Sequence, residues 1–143
     1  MLDSGCKMIS FPKISDQRGN LTFVESAHHV PFNIQRVYYV YDVPGGERRG
    51  GHCHRTIHQV IIAVSGSFDV KVFDGETTTT FILNRAHQGL YIPPMTWREV
   101  ENFASGSVSL VLVSDLYKES DYIRDYNEYI HFIVNAKENR SGI

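Results

Sequence analysis

This 143-residue sequence has two cysteines, only short apolar runs and little net charge, and each of these features excludes a class of protein. The two cysteines, Cys6 and Cys53, lie far apart with no second pair, which excludes a disulfide framework or a zinc knuckle and predicts two free thiols. No stretch approaches the roughly 20 apolar residues of a membrane-spanning helix. Met1 to Lys13 also lacks the apolar core of a secretion signal, so a cytoplasmic protein without a membrane partner is expected.

The charge and the length set two further limits. A formal net charge of -2 gives no general reason to expect a polyanionic partner, so binding to nucleic acid is not expected. A chain of 143 residues is long enough for one sizeable core and too short for two ordinary ones. We therefore expect residues 1–143 to form a single domain, with a polar, frayed tail from about Lys137 to Ile143.

Short β-rich runs separated by turn residues fill most of the chain, a rhythm typical of an all-β sandwich or barrel. Asp74-Gly75 between two β-branched runs predicts a hairpin from Phe68 to Leu83. Pro93-Pro94 predicts a turn, because prolines donate no hydrogen bond to a sheet. The predicted strands are Leu21–Glu25, Arg36–Val43, Gln59–Val64, Phe68–Phe73, Thr77–Leu83, Gly89–Ile92, Arg98–Phe103 and Val108–Ser114.

A change of period marks the C-terminal part of the chain. After Lys118, apolar residues recur at intervals of three and four, which is the spacing of one helix face, and Ser120 and Asp121 stand where caps are expected. We therefore predict a short C-terminal helix. The apolar positions of that face are Tyr122, Ile123, Tyr126, Ile130 and Ile133.

The chemistry of the sequence is concentrated in Arg49-Gly50-Gly51-His52-Cys53-His54. In an extended segment the side chains alternate, so His52 and His54 face one side and Cys53 faces the other. Two imidazoles then converge on one space. The glycines allow a ligand to approach the backbone closely, and Arg49 offers a forked donor suited to phosphate or carboxylate.

Three interpretations of the histidine pair are open from the residues alone: hydrogen-bonded or surface residues, metal ligands, or a metal-free acid–base pair. His-x-His begins many metal sites, but a ligand set also needs a later carboxylate or histidine. Gln59 stands where a glutamate is wanted and Arg98 where a last histidine is wanted, although Glu99 or His87 would restore a ligand. Because imidazole titrates near roughly pH 6.5, two of them suit the proton transfers of an isomerisation.

Tyrosine and arginine side chains accompany this motif. Alternation in Arg36-Val37-Tyr38-Tyr39-Val40 puts Arg36 and Tyr38 on one face, which we expect to line a polar pocket, with simple packing of the tyrosine as the alternative. The remaining cations can hold a diphosphate or an oxyanion, or lie at the surface as solvated charges. They are Arg18, Arg49 and Arg98.

Several motifs follow one another in a specific order along the chain: Arg36-Val37-Tyr38-Tyr39, Arg49-Gly50-Gly51-His52-Cys53-His54, Gln59-Val60, Gly66, Gly89-Leu90-Tyr91, Trp97-Arg98-Glu99 and Ser120-Asp121-Tyr122-Ile123-Arg124. Together they closely resemble the dTDP-4-keto-6-deoxyglucose 3,4-ketoisomerases. The resemblance extends over about residues 11–132, which we take as the core of the domain.

This resemblance implies a fold and a reaction. The fold is a double-stranded β-helix of the cupin superfamily, usually a homodimer with exchanged N-terminal strands, which acts without a metal ion or any other cofactor. The expected substrate is the dTDP-linked nucleotide sugar dTDP-4-keto-6-deoxy-D-glucose. Its conversion to a 3-keto isomer leads towards amino sugars of surface polysaccharides or glycosylated natural products.

The resemblance also implies roles for single residues. His52 resembles the base that moves a proton between sugar C3 and C4, Tyr38 the group that relays protons between the oxygens, and His54 its assistant. Arg18 and Arg98 lie at positions that help to determine the configuration at C4. Their combination in this chain leaves the gluco and the galacto outcome open, with Arg98 in favour of gluco. The other motif residues expected to contact substrate are Arg36, Arg49, Gln59, Tyr91 and Trp97.

Three rival functions use similar residues. A 3,5-epimerase of the same nucleotide sugar is also a metal-free cupin that relies on histidine and tyrosine. A non-catalytic sugar-binding cupin would hold the ligand without turnover. A metal-dependent dioxygenase would need a complete ligand set around the histidine pair.

Overall fold

The computed structural model of the protein describes residues 5–141, in which the chain forms twelve β-strands and one α-helix. A 3₁₀ turn at Glu119–Asp121 precedes the last strand. The elements are β1 (Lys7–Ser10), β2 (Lys13–Asp16), β3 (Gly19–Thr22), β4 (Arg36–Val40), β5 (Arg49–His54), β6 (Gln59–Ser65), β7 (Phe68–Phe73), β8 (Thr78–Leu83), β9 (Gln88–Ile92), β10 (Trp97–Glu101), β11 (Val108–Val113), β12 (Tyr122–Ile123) and α1 (Tyr126–Ser141).

Two five-stranded antiparallel sheets enclose the main core. Their strand orders are β1-β9-β6-β11-β4 and β12-β5-β10-β7-β8, while β2 and β3 form a separate hairpin. Alternation along β7 directs Val70 and Val72 into the core, where they meet apolar residues of β6, β9 and β11 from the opposite sheet. The architecture is the all-β, cupin-type double-stranded β-helix with a short C-terminal helix that was expected.

Strand β6 is buried on both faces. Ile61 points into the core between the sheets, whereas Val60 and Ile62 belong to a second apolar cluster on the outer face of the sheet. Phe11 and Val30, from the N-terminal part of the chain, complete this second cluster. The apolar run of residues 60–63 therefore has a structural cause, since neither face of this part of β6 meets water, whereas Val64 beyond it is exposed.

The predicted hairpin and the predicted proline turn are both confirmed. Strands β7 and β8 pair antiparallel, Gly75 adopts a φ of +104°, and the Asp74 carboxylate accepts the backbone N–H groups of Glu76 and Thr77, each at 2.8 Å. Strand β9 ends at Ile92, immediately before Pro93-Pro94. Strand β5 is extended, as the alternation of the histidine motif requires.

The C-terminal prediction is wrong in its first turn. Tyr122–Ile123 forms β12, which pairs with β5, and the helix begins only at Tyr126. Asp125 caps this helix, because its Oδ1 accepts the backbone N–H groups two and three residues further on, at 2.8 and 3.2 Å. The predicted cap Asp121 instead binds the chain that follows β5, which is a long-range contact that local spacing does not reveal.

The two ends of the chain also differ from the predictions. The helix continues through Lys137 to Ser141 where a frayed tail was expected, and Lys137 forms an ion pair with Glu76 at 2.7 Å. Residues 142–143, the end of that predicted tail, lie outside the described residues. Near the N-terminus the predicted strand Leu21–Glu25 begins two residues earlier, as β3, because the tight turn after Asp16 closes a hairpin with β2.

The helix is attached to the barrel by Tyr129, whose side chain is fully buried. It packs with Trp97, Cys53 and Ile123. Its hydroxyl lies 3.1 Å from the carbonyl oxygen of Phe73 and 3.0 Å from that of Met95, in the turn before β10. Burial raises the pKa of the Tyr129 hydroxyl, which therefore stays a donor. Within residues 5–141 no helix has the length and apolarity needed to cross a membrane.

We expect Tyr129→Phe to lower the free energy of unfolding by about 1–3 kcal/mol, because it removes the donor from two buried carbonyl groups. Urea unfolding followed by circular dichroism measures the change. The control is Tyr126→Phe, since Tyr126 is 47% exposed at the start of the same helix and should change stability by less than about 0.5 kcal/mol. Equal losses in the two variants would contradict the assigned role of the Tyr129 hydroxyl.

Candidate active site

A cavity of about 270 Å³ lies between the two sheets, with walls from β4, β6 and β11 on one side and β5 and β10 on the other. It brings together most of the side chains that were predicted as site residues. Those that line it are Arg36, Tyr38, Arg49, His52, Gln59 and Arg98. His54 has no exposed surface and lies directly behind His52.

The histidine pair is held by the neighbours of β5 in the sheet. His52 pairs in register with Arg98 of β10, and His54 pairs with Tyr122 of β12. The Nε2 atoms of the two imidazoles are 3.2 Å apart, and the ring planes are perpendicular. Cys53 points the opposite way, into the apolar cluster below the helix, where burial raises the pKa of its thiol to about 11. Cys53 is therefore a packing residue.

Asp121 is a buried carboxylate that the sequence analysis did not assign to the site. It accepts hydrogen bonds from four donors, which are the backbone N–H of Thr56 at 2.9 Å, the Thr56 hydroxyl at 2.7 Å, the backbone N–H of Ile57 at 3.3 Å and Nδ1 of His54 at 3.1 Å. The sequence offered one signal for this residue, its place in the Ser120–Arg124 motif, but Asp121 was predicted to be a helix cap.

Both histidines are kept neutral by their surroundings. Burial, together with the positive charge of Arg98, lowers the pKa of His52 to about 2 and that of His54 to about 4, from an ordinary value of 6.5. The hydrogen bond to Asp121 acts in the opposite direction on His54. At neutral pH each imidazole is therefore neutral and has one nitrogen without a proton, which can accept one.

Arg98 is a cation buried inside the barrel, with 1% of its surface exposed. Its Nε and Nη2 donate to the carbonyl oxygen of Thr96, each at 3.3 Å, and its Nη1 donates to Oε1 of Gln59. Among the described residues no carboxylate forms an ion pair with it, so its charge is not neutralised. Such a group favours an anion in the cavity.

Tyr38 and Arg36 extend from β4 into the same cavity. Burial raises the pKa of the Tyr38 hydroxyl, while the charge of Arg98 acts in the opposite direction. The Arg36 guanidinium lies over the Tyr38 ring, 5.2 Å from its centroid. Within the described part of the chain, no hydrogen-bond partner exists for the buried Nε and Nη2 of Arg36, which leaves two donors for a ligand.

The segment after β11 supplies cavity residues that the sequence analysis did not assign. Tyr117, Tyr122 and Arg124 line the cavity. The Arg124 guanidinium lies 4.1 Å from the Tyr122 ring centroid and forms two hydrogen bonds with the Glu119 carboxylate, at 2.7 and 2.9 Å. These residues surround the histidine pair because β12 adds to the edge of β5.

Three predicted substrate contacts lie outside the cavity of this chain. Arg18 is at the turn of the β2–β3 hairpin, where its 90% exposed side chain pairs with Asp16 at 2.6 Å. Tyr91 faces the outer apolar cluster, and its hydroxyl is 2.7 Å from Nδ1 of His58. Trp97 packs below the helix, since alternation along β10 directs it away from Arg98. In this chain Tyr91 and Trp97 therefore support the scaffold.

The metal interpretation lacks a ligand set in the structure. Within residues 5–141 no three His, Cys, Asp or Glu side chains are grouped as a metal site. Glu99, one of the two residues that would have completed a set, lines a separate surface cleft with Trp97, and His87, the other, lies beside Lys13 in a third cleft. Gln59 and Arg98 occupy the space beside the histidine pair instead.

The barrel and its cavity define a cupin-like protein of the kind found among sugar isomerases and epimerases. The family model described as FdtA: WxcM-like, C-terminal matches residues 4–134, and the chain belongs to this family. A curated relative, the TDP-4-oxo-6-deoxy-alpha-D-glucose-3,4-oxoisomerase of Aneurinibacillus thermoaerophilus, is 40% identical over 136 residues, which is 95% of this chain and 98% of the relative.

Solved structures agree with this assignment. A 3,4-ketoisomerase from Helicobacter canadensis has a TM-score of 0.88 at 40% identity and covers 90% of this chain and 97% of its own. A second structure is that of a histidine-to-asparagine mutant of the 3,4-ketoisomerase QdtA from Thermoanaerobacterium thermosaccharolyticum, in complex with TDP-4-keto-6-deoxyglucose. It has a TM-score of 0.89 at 40% identity, and the match covers 92% of this chain and 95% of that one. A dTDP-4-dehydrorhamnose 3,5-epimerase from Bacillus anthracis shares only the fold, at 16% identity and a TM-score of 0.72 over 82% and 77% of the two chains.

The lowered pKa values of the histidine pair predict that acid destabilises the protein. Below pH 6.5 the unfolded chain binds protons at both positions, whereas folded His54 stays neutral to about pH 4 and folded His52 to about pH 2. The free energy of unfolding should therefore fall with decreasing pH, with a slope of up to about 1.4 kcal/mol per pH unit for each histidine. Urea unfolding at a series of pH values tests this.

A variant separates this effect from general acid denaturation. His52→Asn removes one of the two groups, so its slope below pH 6.5 should be shallower by up to about 1.4 kcal/mol per unit. His131→Asn, on the exposed surface of α1, serves as the matched control and should keep the original slope. An unchanged slope in His52→Asn would show that His52 titrates normally in the folded protein.

Proposed function

We propose that the protein is a sugar-nucleotide 3,4-ketoisomerase that converts dTDP-4-keto-6-deoxy-D-glucose into a dTDP-3-keto-6-deoxyhexose without a metal ion or any other cofactor. The observation that carries this proposal is a neutral imidazole, His52, in register with the buried and unneutralised Arg98 in one cavity. A base beside a fixed positive charge suits the removal of a proton next to a ketone, because negative charge develops there.

The reaction needs two proton movements. His52 removes the proton from C3, next to the C4 ketone, and the resulting enediolate holds its negative charge near Arg98 and Tyr38. Return of the proton to C4 moves the carbonyl to C3. Tyr38 relays the proton between the two oxygens, since it lines the same cavity as His52 and Arg98, and its pKa, which burial raises, keeps the hydroxyl protonated and able to donate. His54 assists through its contact with His52.

The cations around the cavity suit an anionic substrate. Arg36 offers its two unpaired donors, and Arg49 lies in the same wall at the start of β5. Guanidinium groups bind phosphate oxygens in a forked geometry, so these two residues are assigned to the diphosphate of the nucleotide. Arg98 lies deeper, between the histidines and Gln59, and is assigned to the sugar, with the gluco configuration at C4 as the expected outcome.

Incubation with dTDP-4-keto-6-deoxyglucose in deuterium oxide, followed by NMR, distinguishes the candidate functions. A ketoisomerase produces a C3 ketone and keeps the hydrogen at C5, whereas a 3,5-epimerase exchanges the C3 and C5 hydrogens. A sugar-binding protein leaves the substrate unchanged. The coupling of the C4 proton in the product reports its configuration.

We expect His52→Asn to fold normally and to lose at least about 10²-fold in turnover, because a positioned base contributes about 10²- to 10⁴-fold. Initial rates from the NMR assay measure the loss. The matched control is His58→Asn, since His58 bonds to Tyr91 outside the cavity and its loss should leave turnover within about threefold. Near-normal turnover of a folded His52→Asn protein would exclude His52 as the base.

We propose that the protein forms a homodimer with exchanged N-terminal strands, which would account for the position of Arg18 outside the cavity of its own chain. The β2–β3 hairpin carries Ile14 opposite Leu21, and these apolar side chains are 57% and 56% exposed in the single chain. In the proposed dimer the hairpin packs on the partner subunit, which buries this pair and brings Arg18 to the partner's cavity. Each site would then combine His52 of one chain with Arg18 of the other.

We expect Ile14→Asp to convert the dimer into a monomer, because a charge in a buried apolar contact strongly opposes association. Analytical ultracentrifugation measures the mass. Ile82→Asp is the matched control, because Ile82 is 65% exposed on β8 of the other sheet and its replacement should leave the dimer intact. A wild-type monomer, or an Ile14→Asp dimer of unchanged affinity, would contradict the exchanged hairpin.

A further inference from the structure

We propose that Asp121 is a positioning residue that acts through His54: it fixes a proton on Nε2 of His52 and so makes Nδ1 of His52 the atom that takes the proton from the sugar. The inference rests on the proposed function, because it concerns the base of that reaction. It adds a residue from a distant part of the chain and a specific nitrogen to the mechanism.

The first step is the state of His54. Four groups surround the Asp121 carboxylate. Two are backbone N–H groups and one is the Thr56 hydroxyl at 2.7 Å, and all three donate to it. The fourth is Nδ1 of His54. An ionised carboxylate can only accept hydrogen bonds. Nδ1 of His54, at 3.1 Å, therefore carries a proton, and the Nε2 of a neutral His54 carries none.

The second step passes this constraint to His52. The Nε2 atoms of the two imidazoles are 3.2 Å apart, which is a hydrogen-bond distance that requires one proton between them. Since His54 has no proton on Nε2, His52 must donate from its own Nε2. A neutral imidazole has one N–H, so Nδ1 of His52 keeps the free lone pair.

The third step concerns charge. After His52 takes the sugar proton on Nδ1, its Nε2 proton can move to Nε2 of His54, which becomes a cation bonded to Asp121, while His52 is neutral again. Return of that proton to His52 Nε2 releases the Nδ1 proton to the neighbouring carbon. No proton is gained or lost over the cycle, and the positive charge stays beside the enediolate or beside Asp121.

Other charged groups around the pair oppose a positive imidazole. The positive charge of Arg98 lowers the pKa of both histidines, that of Arg124 lowers the pKa of His52, and that of Arg36 lowers the pKa of His54. The centroid of the Tyr122 ring lies 4.9 Å from that of His52 and 4.4 Å from that of His54. Asp121 is the negative group in direct contact with the pair. It therefore supplies the compensation that lets a buried imidazole accept a proton between several cations.

Nitrogen-15 NMR of the unmodified enzyme tests the assignment directly. A histidine ring nitrogen that carries hydrogen differs strongly in chemical shift from one that does not. At neutral pH we expect His54 to be protonated on Nδ1 and His52 on Nε2. The opposite pattern at either residue would overturn the proposal, whatever the activity of the enzyme, so this result stands apart from the test of the proposed function.

Asp121→Asn tests the role of the carboxylate. The amide oxygen should stay with the two donors of Thr56, so the NH₂ group faces His54 and converts it to the form protonated on Nε2. His52 then loses its lone pair on Nδ1. We expect kcat to fall at least about 30-fold with KM within about threefold, and the NMR pattern of both histidines to reverse.

Thr56→Val is the matched control, because it removes the hydroxyl donor from the same carboxylate without changing the bond to His54. We expect it to keep the NMR pattern and kcat within about threefold. If Asp121→Asn lowers kcat without reversing the pattern, or if Thr56→Val loses as much activity, Asp121 only supports the loop. Should Asp121→Asn fail to fold, the NMR pattern of the unmodified enzyme still decides.

Discussion

The charge of Arg98 is the constraint on which the other cavity groups depend. A guanidinium buried without a carboxylate partner is costly, and among the residues that the structure describes only the Thr96 carbonyl and the Gln59 amide oxygen accept hydrogen bonds that offset that cost. The same charge favours neutral imidazoles at His52 and His54 and opposes the rise that burial causes in the pKa of Tyr38, so three residues from two strands respond to one cation. An anionic ligand or intermediate is the natural complement of such a cavity.

Local patterns were enough to predict most of the barrel. The Asp74-Gly75 turn and the Pro93-Pro94 break operate within a few residues, and the apolar runs on either side identify their strands. Tyr122–Ile123 was misassigned because its spacing also fits a helix, and pairing with the free edge of β5 decided the outcome. Strand β1 likewise depends on pairing with β9, a contact that the local sequence does not contain, whereas the start of α1 follows from a local cap at Asp125 that was not recognised in the sequence.

Alternation within strands predicted which side chains of the site share a face, as His52 with His54 and Arg36 with Tyr38 illustrate. The same rule also predicts that Trp97 points away from the cavity if Arg98 points into it, as the structure shows, although Trp97 was expected to contact substrate. Asp121 could not be placed in this way, since 67 residues separate it from His54. Asp121 reaches His54, and Tyr122 and Arg124 reach the cavity, only through tertiary structure.

The short strand β12 has a consequence for how the enzyme is made. The hairpin of β7 and β8 joins residues that are close in sequence and can form soon after they leave the ribosome. The edge of β5, by contrast, stays unpaired until another 67 residues have been synthesised and Asp121 and β12 reach it. The carboxylate that contacts the histidine pair is therefore among the last parts of the barrel to be synthesised, eight residues after the central strand β11 ends.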